Sequence, residues 1–210
     1  MKILDKPEVA NGIKLPIMEH FYTVQGEGSH SGRAAYFIRL AGCDVGCVWC
    51  DVKESWDADV TQLMSVEEIT SHVLASKTDY VVITGGEPLM HNCEPLTKAL
   101  AENGIEIGIE TSGAHSFSGV WHWICLSPKK FKLPLENAYT KAQELKIIIF
   151  NKHDFIWAEE QANKVGNDCV LFLQPEWDKQ DKMLPQIIDY VKQHPKWKIS
   201  LQTHKYMNIP

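Results

Sequence analysis

Short apolar segments alternate with amphipathic segments along most of the chain. Several of the apolar segments are continuous and β-branched, including Val81–Thr84 and Lys146–Phe150, which is typical of parallel strands buried on both faces. The pattern predicts strands over Ala35–Leu40, Tyr80–Thr84, Glu106–Thr111, Trp123–Ser127, Leu145–Phe150, Cys169–Gln174 and Lys198–Thr203.

The amphipathic segments predict four helices. The clearest helix starts after Ser65, because its hydroxyl can cap the first turn while Glu68 reaches back to complete a capping box. The other helices are expected over Glu94–Asn103 before Gly104, Asp154–Val165 before Gly166, and Lys182–His194 before Pro195. Helices are therefore fewer than strands, and none is expected between the strands near residues 106 and 123.

This order of elements predicts an α/β fold, namely an incomplete βα barrel of six to seven mostly parallel strands. A complete eight-fold barrel takes about 250 residues, whereas this chain has 210. No repeat or linker divides the sequence, so we expect a single domain over residues 1–210. The polar segments AGCDVGCVWCD, GGEP, ETSG, SPKK and QPEW each follow a predicted strand. We expect these segments to meet at one edge of the sheet.

Composition narrows the class of protein further. Hydrophobic residues make up 44% and charged residues 23% of the chain, as in ordinary globular proteins. The net charge of −6 and the lack of a basic run argue against a nucleic-acid partner. No apolar run is long enough to cross a bilayer, and the N-terminus lacks the apolar core of a secretory signal. We therefore expect a cytoplasmic protein.

Three of the six cysteines form the most specific motif. Cys43, Cys47 and Cys50 have the spacing Cys-x3-Cys-x2-Cys, which lets one loop present three thiolates to one metal ion or metal cluster. A structural zinc ion would need a distant fourth ligand such as His30 or His91. A 4Fe-4S cluster would be left with one iron free of protein ligands, and that iron could bind a small molecule. Three unliganded thiols would be open to oxidation.

The cysteine spacing resembles the signature of the radical S-adenosylmethionine (SAM) superfamily. The resemblance implies that the three cysteines hold a 4Fe-4S cluster, that SAM chelates the fourth iron, and that its reductive cleavage gives a radical that abstracts hydrogen from substrate. Gly85-Gly86-Glu87-Pro88 is similar to the element that meets the amino group of SAM in that superfamily. Glycines allow close approach to a ligand, and Glu87 would add charge for an ammonium.

Three further segments resemble the 7-carboxy-7-deazaguanine synthase family. They are FYTVQGEG at residues 21–28, FIRLAGC at 37–43 and QTHKYMNIP at 202–210. Members of that family are carbon-nitrogen lyases that convert 6-carboxy-5,6,7,8-tetrahydropterin to 7-carboxy-7-deazaguanine with loss of ammonia, on the route to queuosine. The resemblance implies a small pterin substrate, a flavodoxin- or ferredoxin-type electron donor and a homodimer, without nucleic-acid or membrane partners. The alternatives are a small radical SAM activase that makes a glycyl radical on a partner protein, and a non-enzymatic metal-binding module.

The resemblance also implies roles for individual residues. Arg39 is expected to bind the substrate carboxylate through its guanidinium fork, and the chain end at Pro210 is expected to fold into the site. Glu110 and Lys146 resemble polar positions of the same cavity. The expected substrate-binding residues are Val24, Gln25, Gly26, Glu27, Arg39, Thr84, His204 and Pro210. The expected cofactor-binding residues are Trp49, Asp51, Gly85, Gly86, Glu87, Ser127, Pro128, Lys129, Gln174, Pro175, Glu176 and Trp177, beside the catalytic cluster ligands Cys43, Cys47 and Cys50.

One position departs from the family pattern. Many members carry Thr or Ser after the Asp that follows the cluster motif, and that hydroxyl helps to hold Mg2+ beside the substrate carboxylate. Here the position is Val52, which leaves Mg2+ to substrate, water and Asp51, or makes it unnecessary. The remaining cysteines, Cys93, Cys125 and Cys169, are expected to be small buried apolar side chains.

Overall fold

In the computed structural model, which describes residue 3, residues 6–58 and residues 63–210, nine strands form one sheet. The strands are β1 Lys14–Val24, β2 Ala34–Leu40, β3 Leu63–Ser65, β4 Tyr80–Gly85, β5 Glu106–Thr111, β6 Trp123–Leu126, β7 Glu144–Ile149, β8 Val170–Pro175 and β9 Trp197–Ile199. Their order in the sheet is β3-β1-β2-β4-β5-β6-β7-β8-β9.

The predicted incomplete barrel is confirmed. All neighbouring pairs from β2 to β9 are parallel, and these seven strands are the predicted ones. The antiparallel strands β1 and β3 were not predicted. The sequence of β1 contains Pro16, Glu19 and His20, and its second half is partly exposed, so it lacks the continuous apolar run that marks a strand buried on both faces.

The described residues contain four longer helices and three short ones. They are α1 Pro7–Ala10, α2 Val66–Ser76, α3 Glu94–Glu102, α4 Glu136–Lys141, α5 Asp154–Ala162, α6 Gln180–Gln193 and α7 Thr203–Met207. The capping box of α2 is present, and Gly104 follows α3 with the predicted left-handed backbone. The prediction that α5 reaches Val165 and stops at Gly166 was wrong, because the helix ends before Asn163. None of the described helices has the length and apolarity needed to cross a bilayer.

The C-terminal segment corrects the last predicted strand. Pairing of β9 with β8 ends at Ile199, and α7 begins at Thr203 instead of a continued strand. The N–H and the hydroxyl of Thr203 both donate to the carbonyl of Gly26, at 3.0 Å and 2.9 Å. These bonds turn the chain away from the sheet and place α7 against the segment that follows β1.

Two apolar clusters support the sheet. One cluster packs α2 and α3 against β1, β2 and β4, with Ile38 and Leu100 fully buried. The other packs α4, α5 and α6 against β6 to β9, with Leu145 and Trp197 at its centre. Cys93 and Cys125 are buried as predicted, whereas Cys169 is only half-buried. The carboxyl ends of the parallel strands are left free to form a site.

Candidate active site

A cavity of about 270 Å³ opens at the carboxyl edge of the sheet. It is lined by every residue that the sequence predicted for catalysis, cofactor binding or substrate binding, except Pro128. Pro128 is buried and does not line the cavity, so its predicted contact with the cofactor lacks support. The strand-end motifs therefore converge as expected for an α/β sheet.

The cysteine loop forms one wall of this cavity. Cys43, Cys47 and Cys50 are free thiols that line it, with Cys47 buried and the other two half-buried. Burial raises the pKa of the Cys47 thiol to about 11. Cys93, Cys125 and Cys169 do not line the cavity.

The arrangement of the cysteines gives no support to the single-zinc alternative. Within the described parts of the chain, no three His, Cys, Asp or Glu side chains converge on a site of ion size. The Nε2 atom of His91 lies 2.9 Å from the carbonyl of Ala41, which commits that nitrogen to the protein backbone. Three thiols that face one cavity without converging fit a larger, cysteine-bound cluster.

The GGEP segment is fixed directly against the cysteine loop. The N–H of Gly86 donates to Leu40 and the N–H of Glu87 to Gly42, both at 2.9 Å. A Cβ atom on Gly86 would lie 2.2 Å from the carbonyl oxygen of Gly42, and Gly85 has a φ of +136°. The glycine pair is therefore required by the approach of the neighbouring backbone, and not only by a ligand.

The carboxylate of Glu87 is used inside the protein. It is 1% exposed, and it accepts hydrogen bonds from the Thr111 hydroxyl at 2.5 Å, from the N–H and hydroxyl of Ser112 at 2.8 Å and 2.5 Å, and from the N–H of Leu89 at 3.1 Å. This differs from the expectation that Glu87 supplies charge for an ammonium. The carboxylate instead ties the GGEP segment to the end of β5.

A second acidic residue leaves one oxygen for a ligand. The Oε2 atom of Glu176 is buried and has no hydrogen-bond partner in the described residues, whereas Oε1 accepts from the N–H of Asp178 at 3.3 Å. Glu176 lines the cavity, and a buried carboxylate oxygen without a donor is costly. The residues therefore fit a cofactor that brings hydroxyl or ammonium donors, as SAM does.

Lys129 lines the cavity next to the cysteine loop. Its Nζ atom donates to the carbonyl and the hydroxyl of Ser127, at 2.8 Å and 2.6 Å, and lies 5.6 Å from the centre of the Trp49 ring. Burial lowers the pKa of Lys129. This side chain therefore places a positive group beside the cysteine loop.

Another part of the cavity lining carries a partly buried charge network. The Nζ atom of Lys146 lies 2.5 Å from Glu27 Oε2 and 2.8 Å from Glu110 Oε2. Burial by itself would raise the pKa of Glu27, but the charge and hydrogen bond of Lys146, with that of Gln202, lower it to about 2. Gln25 donates to Glu110 at 3.1 Å. This wall therefore presents two carboxylates that share one ammonium.

The C-terminal helix closes the cavity next to this network. A Cβ atom on Gly26 would lie 2.3 Å from Nδ1 of His204, so the two segments are in direct contact. Burial lowers the pKa of His204. Pro210 lines the cavity and is exposed, and its carbonyl oxygen accepts from the Thr23 hydroxyl at 3.4 Å.

Arg39 is shared between the cavity and a surface ion pair. Its Nε atom lies 2.6 Å from Glu19 Oε1, while its side chain also lines the cavity. The Nη atoms have no hydrogen-bond partner in the described residues. Binding of a substrate carboxylate by this guanidinium therefore stays a prediction.

The surroundings of Val52 do not fit a magnesium ion held by the protein. Val52 lines the cavity without a side-chain oxygen, and its carbonyl already accepts from the hydroxyl and the N–H of Ser55. Asp51 Oδ2 lies 3.3 Å from the ammonium of Lys205. The described residues here thus provide one carboxylate that is already paired with a cation.

Several lining residues were not predicted from the sequence. Phe21 and Phe37 stack with ring centres 5.6 Å apart, because β1 pairs with β2 at this register. The aromatic residues of FYTV and YFIR are the available signal for this pair in the sequence, but the sequence pattern does not predict β1 as a strand. The other unpredicted residues are Val45, Trp56, Thr111, Ser112, Ile148 and Gln202.

Comparison with known proteins adds independent evidence. The family model described as Radical SAM superfamily matches residues 37–123. The 7-carboxy-7-deazaguanine synthase of Flavobacterium psychrophilum is 56% identical over 203 residues, which cover 96% of each chain. The synthase of the same name from Synechocystis sp. is 46% identical over 94% of each chain, and that from Escherichia coli K12 is 36% identical over 94% of this chain and all of its own.

A solved structure shows the same fold. The crystal structure of QueE from Escherichia coli superimposes with a TM-score of 0.79 at 30% sequence identity, covering 94% of this chain and 98% of the other. The similarity therefore extends over nearly the whole chain.

Proposed function

Because the chain belongs to the 7-carboxy-7-deazaguanine synthase family, we propose that it converts 6-carboxy-5,6,7,8-tetrahydropterin to 7-carboxy-7-deazaguanine with release of ammonia. The chain is thus a radical SAM lyase of queuosine biosynthesis. The activase and the non-enzymatic metal module are the weaker readings, because neither needs the QGEG segment or α7.

One observation carries this proposal. A single cavity brings the three cysteines to one wall and the Glu27–Lys146–Glu110 network to another. A metal module would need only the first wall. An activase acts on a partner protein and would need an open groove, whereas α7 packs over this cavity.

Different residues of the cavity are proposed to hold the cluster and SAM. The thiolates of Cys43, Cys47 and Cys50 would hold three irons of a 4Fe-4S cluster, and Gly86 and Glu176 would line the place of SAM. When bound, the cluster and SAM supply one-electron, hydrogen-abstracting chemistry. Glu87 holds the GGEP segment in position through the end of β5.

The substrate wall binds and orients the pterin. The ionised carboxylate of Glu27 accepts hydrogen bonds from N–H groups of the ring, and Arg39 turns its free Nη atoms toward the substrate carboxylate. Thr84 at the end of β4 and His204 on α7 complete the contacts. Val24, Gln25, Gly26 and Pro210 shape the remaining surface.

The segment after β1 and helix α7 are proposed to close the site. We expect residues 1–210 to act as one radical SAM domain, in which the segment after β1 and helix α7 exclude water from the bound substrate. The contacts of Thr203 with Gly26 support this arrangement. Trp49, Asp51, Ser127, Lys129, Gln174, Pro175 and Trp177 are proposed to enclose SAM.

Magnesium is proposed to have no ligand from Val52. The pairing of Asp51 with Lys205 places a positive charge where a divalent cation would have to bind. Mg2+ stimulation should therefore be weak in this protein.

The partners other than substrate are also proposals. A flavodoxin- or ferredoxin-type protein would supply the single electrons that the cluster needs. A homodimer is supported by the exposed apolar side chains of Phe131, Leu133 and Leu135, which follow one another on one segment, because exposed apolar patches favour association.

Coupled turnover tests the proposed reaction. Anaerobically reconstituted protein is incubated with SAM and dithionite, with and without the carboxypterin, and ammonia and the consumed pterin are measured. The proposal predicts one ammonia released per pterin consumed, and no ammonia without the pterin. Ammonia release that does not depend on the pterin would contradict it.

A further inference from the structure

Lys146 is a buried charge in an apolar strand. It is 2% exposed and lies on β7, between Leu145 and Ile147. Its Nζ atom contacts carboxylates from two other elements, Glu27 after β1 and Glu110 on β5. A buried ammonium is costly unless it is paired, so the three side chains depend on one another.

Neighbouring amides fix the orientation of both carboxylates. Gln202 donates to Glu27 Oε1 at 2.9 Å, and Gln25 donates to Glu110 Oε1 at 3.1 Å. With Lys146 on each Oε2 atom, every oxygen of the pair accepts at least one hydrogen bond from the protein, and Gln174 is a further hydrogen-bonding neighbour of Glu27. A carboxylate oxygen can accept two, so the pair keeps acceptor positions for a ligand.

The charge state of this surface limits what can bind it. Ionised carboxylates accept hydrogen bonds and donate none. A ring that presents neighbouring N–H groups meets such acceptors well, whereas a ring that presents a carbonyl in the same place is repelled. The 2-amino group and N3–H of a pterin form an edge of the first kind.

We propose that Lys146 is a specificity-determining positioning residue, which keeps Glu27 and Glu110 as a fixed surface of acceptors that selects the 2-amino edge of the pterin. The inference rests on the proposed function and names the residue that controls substrate choice within the same site. Without Lys146, two neighbouring, partly buried carboxyls share one site, so one of them takes up a proton as the pH falls. The protonated carboxyl becomes a donor, and affinity for the pterin falls with pH.

Other titrating groups face the network and must be separated from its effect. They are Glu144, Cys125 and Lys129 near Lys146, Tyr80 near Glu110, and His204 near Glu27, with Asp51 and Lys205 beside His204. Because these groups are present in wild type and in every Lys146 variant, the ratio of the two dissociation constants at each pH removes their shared contribution.

The test measures binding to the complete enzyme. Protein with its cluster and SAM, but without reductant, is titrated anaerobically by calorimetry with the carboxypterin and with its 2,4-dioxo (lumazine) analogue, from about pH 6 to about pH 8.5. The variants are Lys146→Met and Lys146→Gln, with Lys146→Arg as the charge-conserving control. The double variant Lys146→Met, Glu110→Gln removes one carboxylate together with the cation.

The inference predicts a specific pattern. The measured quantity is the dissociation constant of the pterin for a variant divided by that for wild type. For Lys146→Met and Lys146→Gln this ratio should rise roughly ten-fold or more from the high to the low pH. For Lys146→Arg and for the double variant it should stay constant. Wild type should bind the lumazine roughly a hundred-fold more weakly than the pterin, and Met and Gln should narrow that gap at low pH.

The failures of the two proposals are distinguishable. A ratio that is constant with pH in Met and Gln, with unchanged pterin-to-lumazine discrimination, would overturn the role of Lys146. If one of these two variants loses its iron, the other carries the test. Wild type that binds SAM but no carboxypterin would overturn the proposed function instead.

Discussion

Gly26 and His204 are in contact so close that a methyl group on Gly26 would lie 2.3 Å from the imidazole Nδ1. The backbone nitrogen of His204 would be 2.7 Å from the same methyl group. The contact joins two segments 178 positions apart in the chain, and it holds α7 over the cavity.

Gly26→Ala should therefore displace α7 and impair turnover. A shift of about 1 Å in a positioned group can cost roughly 100-fold in rate, and we expect a loss of that order in kcat/KM for the pterin. Gly166→Ala is the matched control, because no atom lies within 4 Å of its added Cβ. Iron content and SAM affinity should be unchanged in both variants, and full activity of Gly26→Ala would refute the placement of α7.

The cysteine wall predicts selective loss of iron. Cys43→Ala, Cys47→Ala and Cys50→Ala should each abolish the cluster after anaerobic reconstitution, measured by iron and sulfide analysis and by the visible absorption spectrum. Cys169→Ala should retain it, because Cys169 is half-buried and outside the cavity. A cluster that needs Cys169 would show that the ligand assignment is wrong.

The side chain at position 52 should control the response to magnesium. Val52→Thr adds one hydroxyl at nearly constant volume, and the variant should show stronger Mg2+ stimulation of turnover than wild type. The comparison is made over a series of Mg2+ concentrations at saturating SAM. Equal stimulation would mean that the ion, if used, is held by other groups.

His91 should make stability depend on pH in the acidic range. Burial lowers its pKa to about 4, from the ordinary histidine value of about 6.5, so its neutral form is favoured in the folded protein. The contribution of neutral His91 to the free energy of unfolding is fully present above about pH 6.5. It falls by about 3 kcal/mol as the pH decreases from 6.5 to 4. Urea unfolding of reconstituted wild type and His91→Gln, followed by tryptophan fluorescence, measures the difference. Parallel pH profiles would contradict it.

The sequence was sufficient for the parallel part of the fold. Continuous β-branched runs identify strands buried on both faces, and the polar segments after them meet at one edge because parallel strands align their ends. The sequence pattern does not predict β1, because this strand is antiparallel and partly exposed. The pattern predicts a strand through Thr203, whereas the chain turns before it because Thr203 bonds to the distant Gly26.

The site was predictable at the level of motifs and not of pairings. The three cysteines lie in one loop, so their spacing is visible in the sequence. The ion pairs of Lys146 with Glu27 and Glu110 join segments far apart in the chain, and they form only when the sheet is assembled. The signal that was available is a lysine within the apolar run of β7. The hydrogen bonds from Thr111 and Ser112 to Glu87 could not be predicted either, because they depend on the register of two neighbouring strand ends.

The identity of the product tests the proposed conversion of the carboxypterin most directly. Reconstituted protein is incubated without oxygen with SAM, dithionite and 6-carboxy-5,6,7,8-tetrahydropterin. The products are separated by chromatography, and their masses are measured by mass spectrometry. The expected product is lighter than the substrate by one ammonia and co-elutes with authentic 7-carboxy-7-deazaguanine. Cleavage of SAM with the pterin left intact would contradict it.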